Sequence, residues 1–294
     1  MGFLKGYTKQ EISWMMYDWA NSAHSVIVVT LLPIFFDSVA GYTANSVSSM
    51  STWGYATSIA MAIVALAAPF LGVFGDIRGM RKRLFALFMG VGVVAVALLS
   101  FTPLMDFTSS TAAAGRVAGL ILALYIVSVI GFDASAIYYD AFLTDITTED
   151  RMDRVSTMGY GLGYIGGSTI PLVIFLVMNL VGIPMLTCLA VIFAVTAVWW
   201  LGFSLPLLKN CRQISGKPYE KGDVGRSIRG VGATIREIIA NKPMLVYILA
   251  YFFYIDGVHT VISMATTYGT NLGLDSTGML LALLLVQVLG LPFC

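Results

Sequence analysis

Ionisable side chains stand inside stretches that are otherwise apolar, and their spacing lines them up on helix faces. Asp18, Asn21, Ser22 and Ser25 recur at three- and four-residue intervals, with His24 adjacent. Asp256, His259, Thr260, Ser263 and Thr267 repeat the pattern late in the chain. Asp133 and Asp140 are seven residues apart, which places them on one face of a helix. A carboxylate at the centre of a bilayer costs roughly 2.5–3.5 kcal/mol on insertion scales, so such a group usually faces a cavity or a partner. Imidazole titrates near neutrality and can pass protons, and both histidines of the chain sit in these stripes. The chemistry this points to is binding of a polar solute, or carriage of a coupling proton, by Asp256, His259 and Thr260, with Asp18, Asn21, His24 and Asp133 as further candidates. Two blander roles compete. A histidine can be satisfied by a helix neighbour, and Asp18 and Asp140 lie where a salt bridge at the membrane boundary would serve.

Membrane-spanning helices must position these groups. The chain is 58% hydrophobic and 11% charged, with mean hydropathy +0.84, whereas soluble domains carry about 25% charged residues. Every Lys and Arg except Arg116 falls in the N-terminal tail (Lys5, Lys9) or in alternate connections between apolar runs: Arg78 to Arg83, Arg151 with Arg154, and Lys209 through Lys242. Loops rich in Lys and Arg stay cytoplasmic, so the N-terminus is expected inside, with the chain crossing the cell membrane as an integral multi-pass protein. About eight spans are predicted, roughly 17–40, 53–74, 84–105, 117–142, 157–180, 184–207, 244–267 and 277–294. Residues 155–208 carry no charge; that run is about twice what one crossing needs and reads as two helices broken near Gly182-Ile183-Pro184. The outer connections are short and almost uncharged except 106–116, which holds Asp106 and Arg116. The first apolar run is too long for a signal-peptide core. Cys188, Cys211 and Cys294 are widely separated, and Cys211 should face a reducing cytosol, so no disulfide is expected.

Three units follow: a six-helix half over 1–207, a cytoplasmic linker over 208–243, and the start of a second half over 244–294. In the linker, Ile228, Val231, Ile235 and Ile238 alternate with Arg226, Arg229 and Arg236, a pattern suited to an amphipathic helix on the leaflet surface. The second connection, Gly72-Val73-Phe74-Gly75-Asp76-Ile77-Arg78-Gly79-Met80-Arg81-Lys82-Arg83, has the parts of a gate latch: Gly75 and Gly79 for a tight turn, and Asp76 to pair with Arg81 or dock on a helix N-terminus. Its rival reading is a positive-inside turn without a gating role. Gly159, Gly163 and Gly167 form a stripe of small residues in the fifth span, which lets a neighbouring helix approach closely, either to slide or as static packing. The formal G-x-G-x-x-G at Gly161 to Gly166 lies inside an apolar span with no strand before it, which excludes a nucleotide fingerprint. No hydrolase, zinc-protease or phosphate-loop motif occurs, so no enzyme activity, cofactor or metal is expected. The net charge of +1 gives no reason to expect nucleic acid, and the expected partners are a small-molecule solute and the bilayer.

The gate loop resembles the signature loop of major facilitator transporters. Several segments together resemble one branch of that superfamily, the family of the fungal vacuolar effluxer linked to autophagy with its bacterial permease relatives. They are Tyr17-Asp18-Trp19-Ala20-Asn21-Ser22-Ala23, Tyr138-Tyr139-Asp140-Ala141-Phe142-Leu143, Arg154 to Gly167, and Asp256-Gly257-Val258-His259-Thr260-Val261. Asp140 stands where asparagine is usual in the family, and the position of His259 varies in it. The resemblance implies an all-α major facilitator fold of which about eight of twelve helices are present, the chain being truncated inside the eighth. It also implies a secondary transporter working by alternating access about a midplane site, with amino acids as the substrate class. In that layout the fifth span meets the eighth across the two halves. A non-transporting sensor or scaffold on the same fold is the rival reading; a mid-span Asp256 argues against it.

Overall fold

The computed structural model describes residues 4–43, 47–218 and 223–290, with side chains omitted at 223, 224, 226–228, 276, 288 and 290. Lys221 and the tail ending at Cys294 therefore lie outside the described residues, as do the side chains of Arg226 and Ile228.

Helices account for the architecture. They are α1 (Lys9–Ala40), α2 (Ser49–Gly75), α3 (Arg81–Leu99), α4 (Thr111–Ile146), α5 (Met152–Leu162), α6 (Thr169–Leu180), α7 (Met185–Asn210), α8 (Asp223–Ala240), α9 (Lys242–Asn271) and α10 (Ser276–Gly290). A π-helical segment, Gly163–Ser168, joins α5 to α6, so the pair makes one crossing. Among the described residues seven helical stretches are long and apolar enough to span a membrane. Together with α8 as a separate helix and the shorter apolar α10, this is the all-α, multi-pass arrangement read from the sequence, with the break after Leu180 at Val181 to Pro184 as expected.

Local chemistry sets the ends. Thr8 and Glu11 form a reciprocal capping box at the start of α1, satisfying two backbone donors that a helix N-terminus leaves open. Ser48, Ser110 and Asn241 cap α2, α4 and α9 with their side chains. The Ser110 cap explains a difference from expectation. It accepts from Ala113 N at 3.2 Å, so α4 begins six residues before 117, and Arg116 is an exposed residue of its second turn instead of part of a loop.

The core falls into two apolar clusters stacked along the bundle. One, at the end carrying the Lys and Arg residues, gathers Trp14, Tyr17, Phe85, Tyr139, Phe142 and Trp200. The other, toward the opposite end, gathers Phe35, Phe36, Trp53, Tyr125, Phe175 and Phe193. α1 runs through both. α3 and α4 pack through facing glycines: a Cβ on Gly131 would lie 2.7 Å from Gly92 Cα, the close backbone approach that small residues allow in membranes. Large side chains such as Leu66 and Val198 remain 75% and 72% exposed, as surfaces facing lipid do.

Candidate functional site

The polar face of α1 is built into a tight aromatic frame. Tyr139 donates its hydroxyl to Asp18 Oδ2 at 2.7 Å. Its ring stacks on Trp14 with centroids 4.2 Å apart, while Trp14 Nε1 donates to Tyr139 O at 2.9 Å. One turn on, the hydroxyls of Tyr17 and Ser135 share a hydrogen bond of 2.7 Å, and Asn21 is buried beside them. His24 is sealed further in: its Nε2 is 3.2 Å from Ser128 Oγ, and its ring lies 4.9 Å from both Phe132 and Trp200. Its Nδ1 has no hydrogen-bond partner among the described residues, and neither does the buried Oδ2 of Asp133. Asp140 is exposed and Asp133 half-buried on α4.

The glycine stripe covers this face. A Cβ added at Gly159 would meet Asp18 Oδ2 at 2.5 Å, one at Gly163 would meet Ser22 Oγ at 2.5 Å, and one at Gly167 would meet Trp19 O at 2.5 Å. All three glycines thus point at α1. The eighth apolar helix, α10, does touch α6 and the π segment, but the small residues serve the contact with α1. The reason is bulk: Asp18, Trp19 and Ser22 leave no room for a side chain opposite them.

On α9, Asp256, His259 and Thr260 are all exposed. Only Thr266, Thr267 and Gly269 of this helix are buried, where Met264 approaches Gly54 of α2. α9 therefore meets α1 and α2 at the end away from the Lys and Arg clusters. Among the described residues no hydrogen bond or ion pair joins the polar face of α9 to that of α1 or α4.

The loop between α2 and α3, read from the sequence as a gate latch, lies at the basic end. Gly79 has φ +81°, the left-handed conformation that favours glycine. Gly75 is instead the last residue of α2, and a Cβ there would press on the Tyr138 ring at 3.0 Å; its smallness serves packing, not the turn. Asp76 is 83% exposed, and its carboxylate is 3.9 Å from Arg81 Nη2. Arg81 itself turns inward to pair directly with Asp145 and donates to Ala141 O at 2.9 Å. Arg78 is exposed, and Lys82 Nζ donates to Cys211 O at 3.0 Å. Asp145 lies in the last turn of α4, beyond the expected end of span four at 142, where the spacing of polar residues gives no sign of it. Glu11 was missed as well. It accepts from Arg151 Nε and Nη2 at 2.9 Å each and from Thr147 Oγ1 at 2.7 Å, and the Thr8-x-x-Glu11 spacing was the available signal for it.

Comparison with known proteins adds a lineage to this geometry. A family model described as "Vacuole effluxer Atg22 like" matches residues 7–291. The sequence is 39% identical over 298 residues to YxiO of Bacillus subtilis, described as an uncharacterized MFS-type transporter, covering 99% of this chain and 67% of that protein. It is 26% identical over 148 residues to autophagy-related protein 22-1 of Penicillium rubens, covering 47% of this chain and 25% of that one. Over 126 residues it is 27% identical to autophagy-related protein 22-2 of Aspergillus clavatus, covering 39% and 20%. The chain thus spans about two thirds of the bacterial relative and a quarter or less of the fungal ones.

Proposed function

The chain belongs to the Atg22-like vacuole effluxer family of MFS-type transporters, and from that premise we propose that it supplies the first six-helix half, the linker and the opening helices of the second half of a secondary transporter. The transported species in this reading is a small solute of the amino-acid class, moved by alternating access and coupled to protons. The Lys- and Arg-rich end faces the cytoplasm of the cell membrane, in keeping with the positive-inside bias.

One observation carries the reading. Asp256 and His259 stand one turn apart on the open face of a 30-residue apolar helix, where an unpartnered carboxylate is costly unless it meets a solute, an ion or a cavity. Asp133 supplies a second carboxylate with a buried, unpartnered oxygen on α4. Asp18 and Asn21 line the same half, with Asp18 held by Tyr139. His24, enclosed by Phe132 and Trp200, has a packing role in this scheme. The contact of α9 with α1 and α2 at one end only supports a rocking motion about that end, as alternating access requires. Gly75, Asp76, Arg78, Gly79, Arg81 and Lys82 then serve as the cytoplasmic gate.

The test is flux in proteoliposomes that hold the whole transporter of which this chain is a part, with a pH-sensitive dye inside. Addition of an amino-acid panel should acidify the lumen, and Asp256→Asn should abolish the acidification. Absence of flux across a broad solute panel would turn the reading toward a non-transporting sensor.

A further inference from the structure

The linker begins by lying down on the gate loop. Gln213 reaches across with both ends of its amide: Oε1 accepts from Gly79 N at 2.8 Å and Arg81 N at 3.3 Å, and Nε2 donates to Gly75 O at 3.0 Å. Four residues later the two backbones pair as parallel strands do. Arg78 N donates to Lys217 O at 3.0 Å, and Lys217 N donates to Asp76 O at 3.1 Å. Gly216 makes this approach possible with φ +115°; a Cβ there would lie 2.8 Å from Asp76 O. On the other side, Asp145 Oδ1 accepts from Ile214 N at 3.1 Å and Ser215 N at 2.8 Å, while its second oxygen holds Arg81.

We infer that residues 211–217 are a strap and that Gln213 is a positioning residue for the gate loop, holding Gly79 and Arg81 in the geometry that presents Arg81 to Asp145. The loop by itself leaves the amides of Gly79 and Arg81 without partners inside the turn, and Gln213 supplies one acceptor for both. The strap is continuous with the linker toward α8 and α9. A pull on the linker as the second half moves is therefore delivered to the gate loop and to the end of α4 together. This coupling role rests on the transporter reading above; the positioning role does not.

Hydrogen–deuterium exchange on the whole chain in detergent micelles tests the positioning role without any solute. Gln213→Ala should speed exchange at Gly79 and Arg81 about tenfold, the effect of losing hydrogen bonds that close a local structure. Gln213→Met fills similar space without the amide acceptor and should speed both amides as Ala does, whereas a space-filling role predicts exchange near wild type. Size-exclusion profiles like wild type establish that both variants fold. Unchanged exchange at both amides in Gln213→Ala overturns the proposal. In proteoliposomes Gln213→Ala should lower maximal flux several-fold at an unchanged half-saturating solute concentration. Wild-type flux from a variant with a loosened loop would overturn the coupling role. A loosened loop in a protein whose wild type moves no solute would support the strap and count only against the transporter reading.

Discussion

Arg81 and Asp145 form an ion pair sealed from solvent on both sides, with 5% and 1% of their side chains exposed. The Arg81 guanidinium also lies 5.8 Å from the centre of the Phe142 ring. Removing one partner of a buried pair strands the other charge and costs about 3–5 kcal/mol. Arg81→Met and Asp145→Asn, which keeps an acceptor for the amides of Ile214 and Ser215, should each lower the melting temperature of the detergent-solubilised protein sharply, and the double variant should recover most of the loss. A double variant no better than the worse single one would rule out a stranded charge as the cause.

The glycines of the fifth crossing divide by what they face. Gly161 meets nothing within 4 Å, whereas Gly163 faces Ser22 Oγ and Asp18 O. Gly161→Ala should be neutral or stabilise the helix by about 0.5–1 kcal/mol. Gly163→Ala should reduce the yield of monodisperse protein, since a Cβ there presses on Ser22 Oγ and Asp18 O where the π segment meets α1. Comparing the two on one size-exclusion column settles the contrast.

Among the described residues Asp256 is exposed and has no hydrogen bond or ion pair that stability should register. Asp256→Asn is expected to leave the melting temperature nearly unchanged, within the roughly 0.5 kcal/mol typical of exposed positions, while lowering flux at least about tenfold. A thermal scan beside a flux assay separates these effects, and a stability loss of several kcal/mol would place Asp256 in packing.

Cys211 lies just past α7, and burial pushes its thiol up to about 12, with the charge of Lys82 pulling the other way. The thiolate is the reactive species, and an ordinary cysteine ionises near 8.5. The folded protein should therefore show negligible maleimide labelling at Cys211 from pH 7 to pH 9, and full labelling once denatured. Mass spectrometry of the Cys211 peptide gives the answer; labelling that rises through pH 8.5 would mean an accessible thiol.

Much of the fold was legible because lipid imposes a simple rule: a span is a long apolar run with its backbone satisfied internally. The run 155–208, the break at Gly182 and the basic connections all followed from it. Contacts between distant positions did not. Nothing local in Gln213 or Asp145 says that both reach Arg81, because that meeting depends on where α4 ends and how the chain leaves α7. The direction of the glycine stripe was equally hidden. Spacing shows that Gly159, Gly163 and Gly167 share a face, but only the bulk of Trp19 and the reach of Asp18 choose α1 as the neighbour. For the candidate site, sequence supplied the polar residues, and the structure separates the enclosed His24 from the open His259.

The π segment has a geometric consequence for that stripe. At 3.6 residues per turn, a spacing of four advances about 40° at each step, so in a regular helix Gly159 and Gly167 would point about 80° apart. Both nevertheless face α1, because the wider turn at Gly163–Ser168 takes up the accumulated drift. It works as a vernier between two long rods, resetting their register so that one seam can stay closed along its length without either rod coiling around the other.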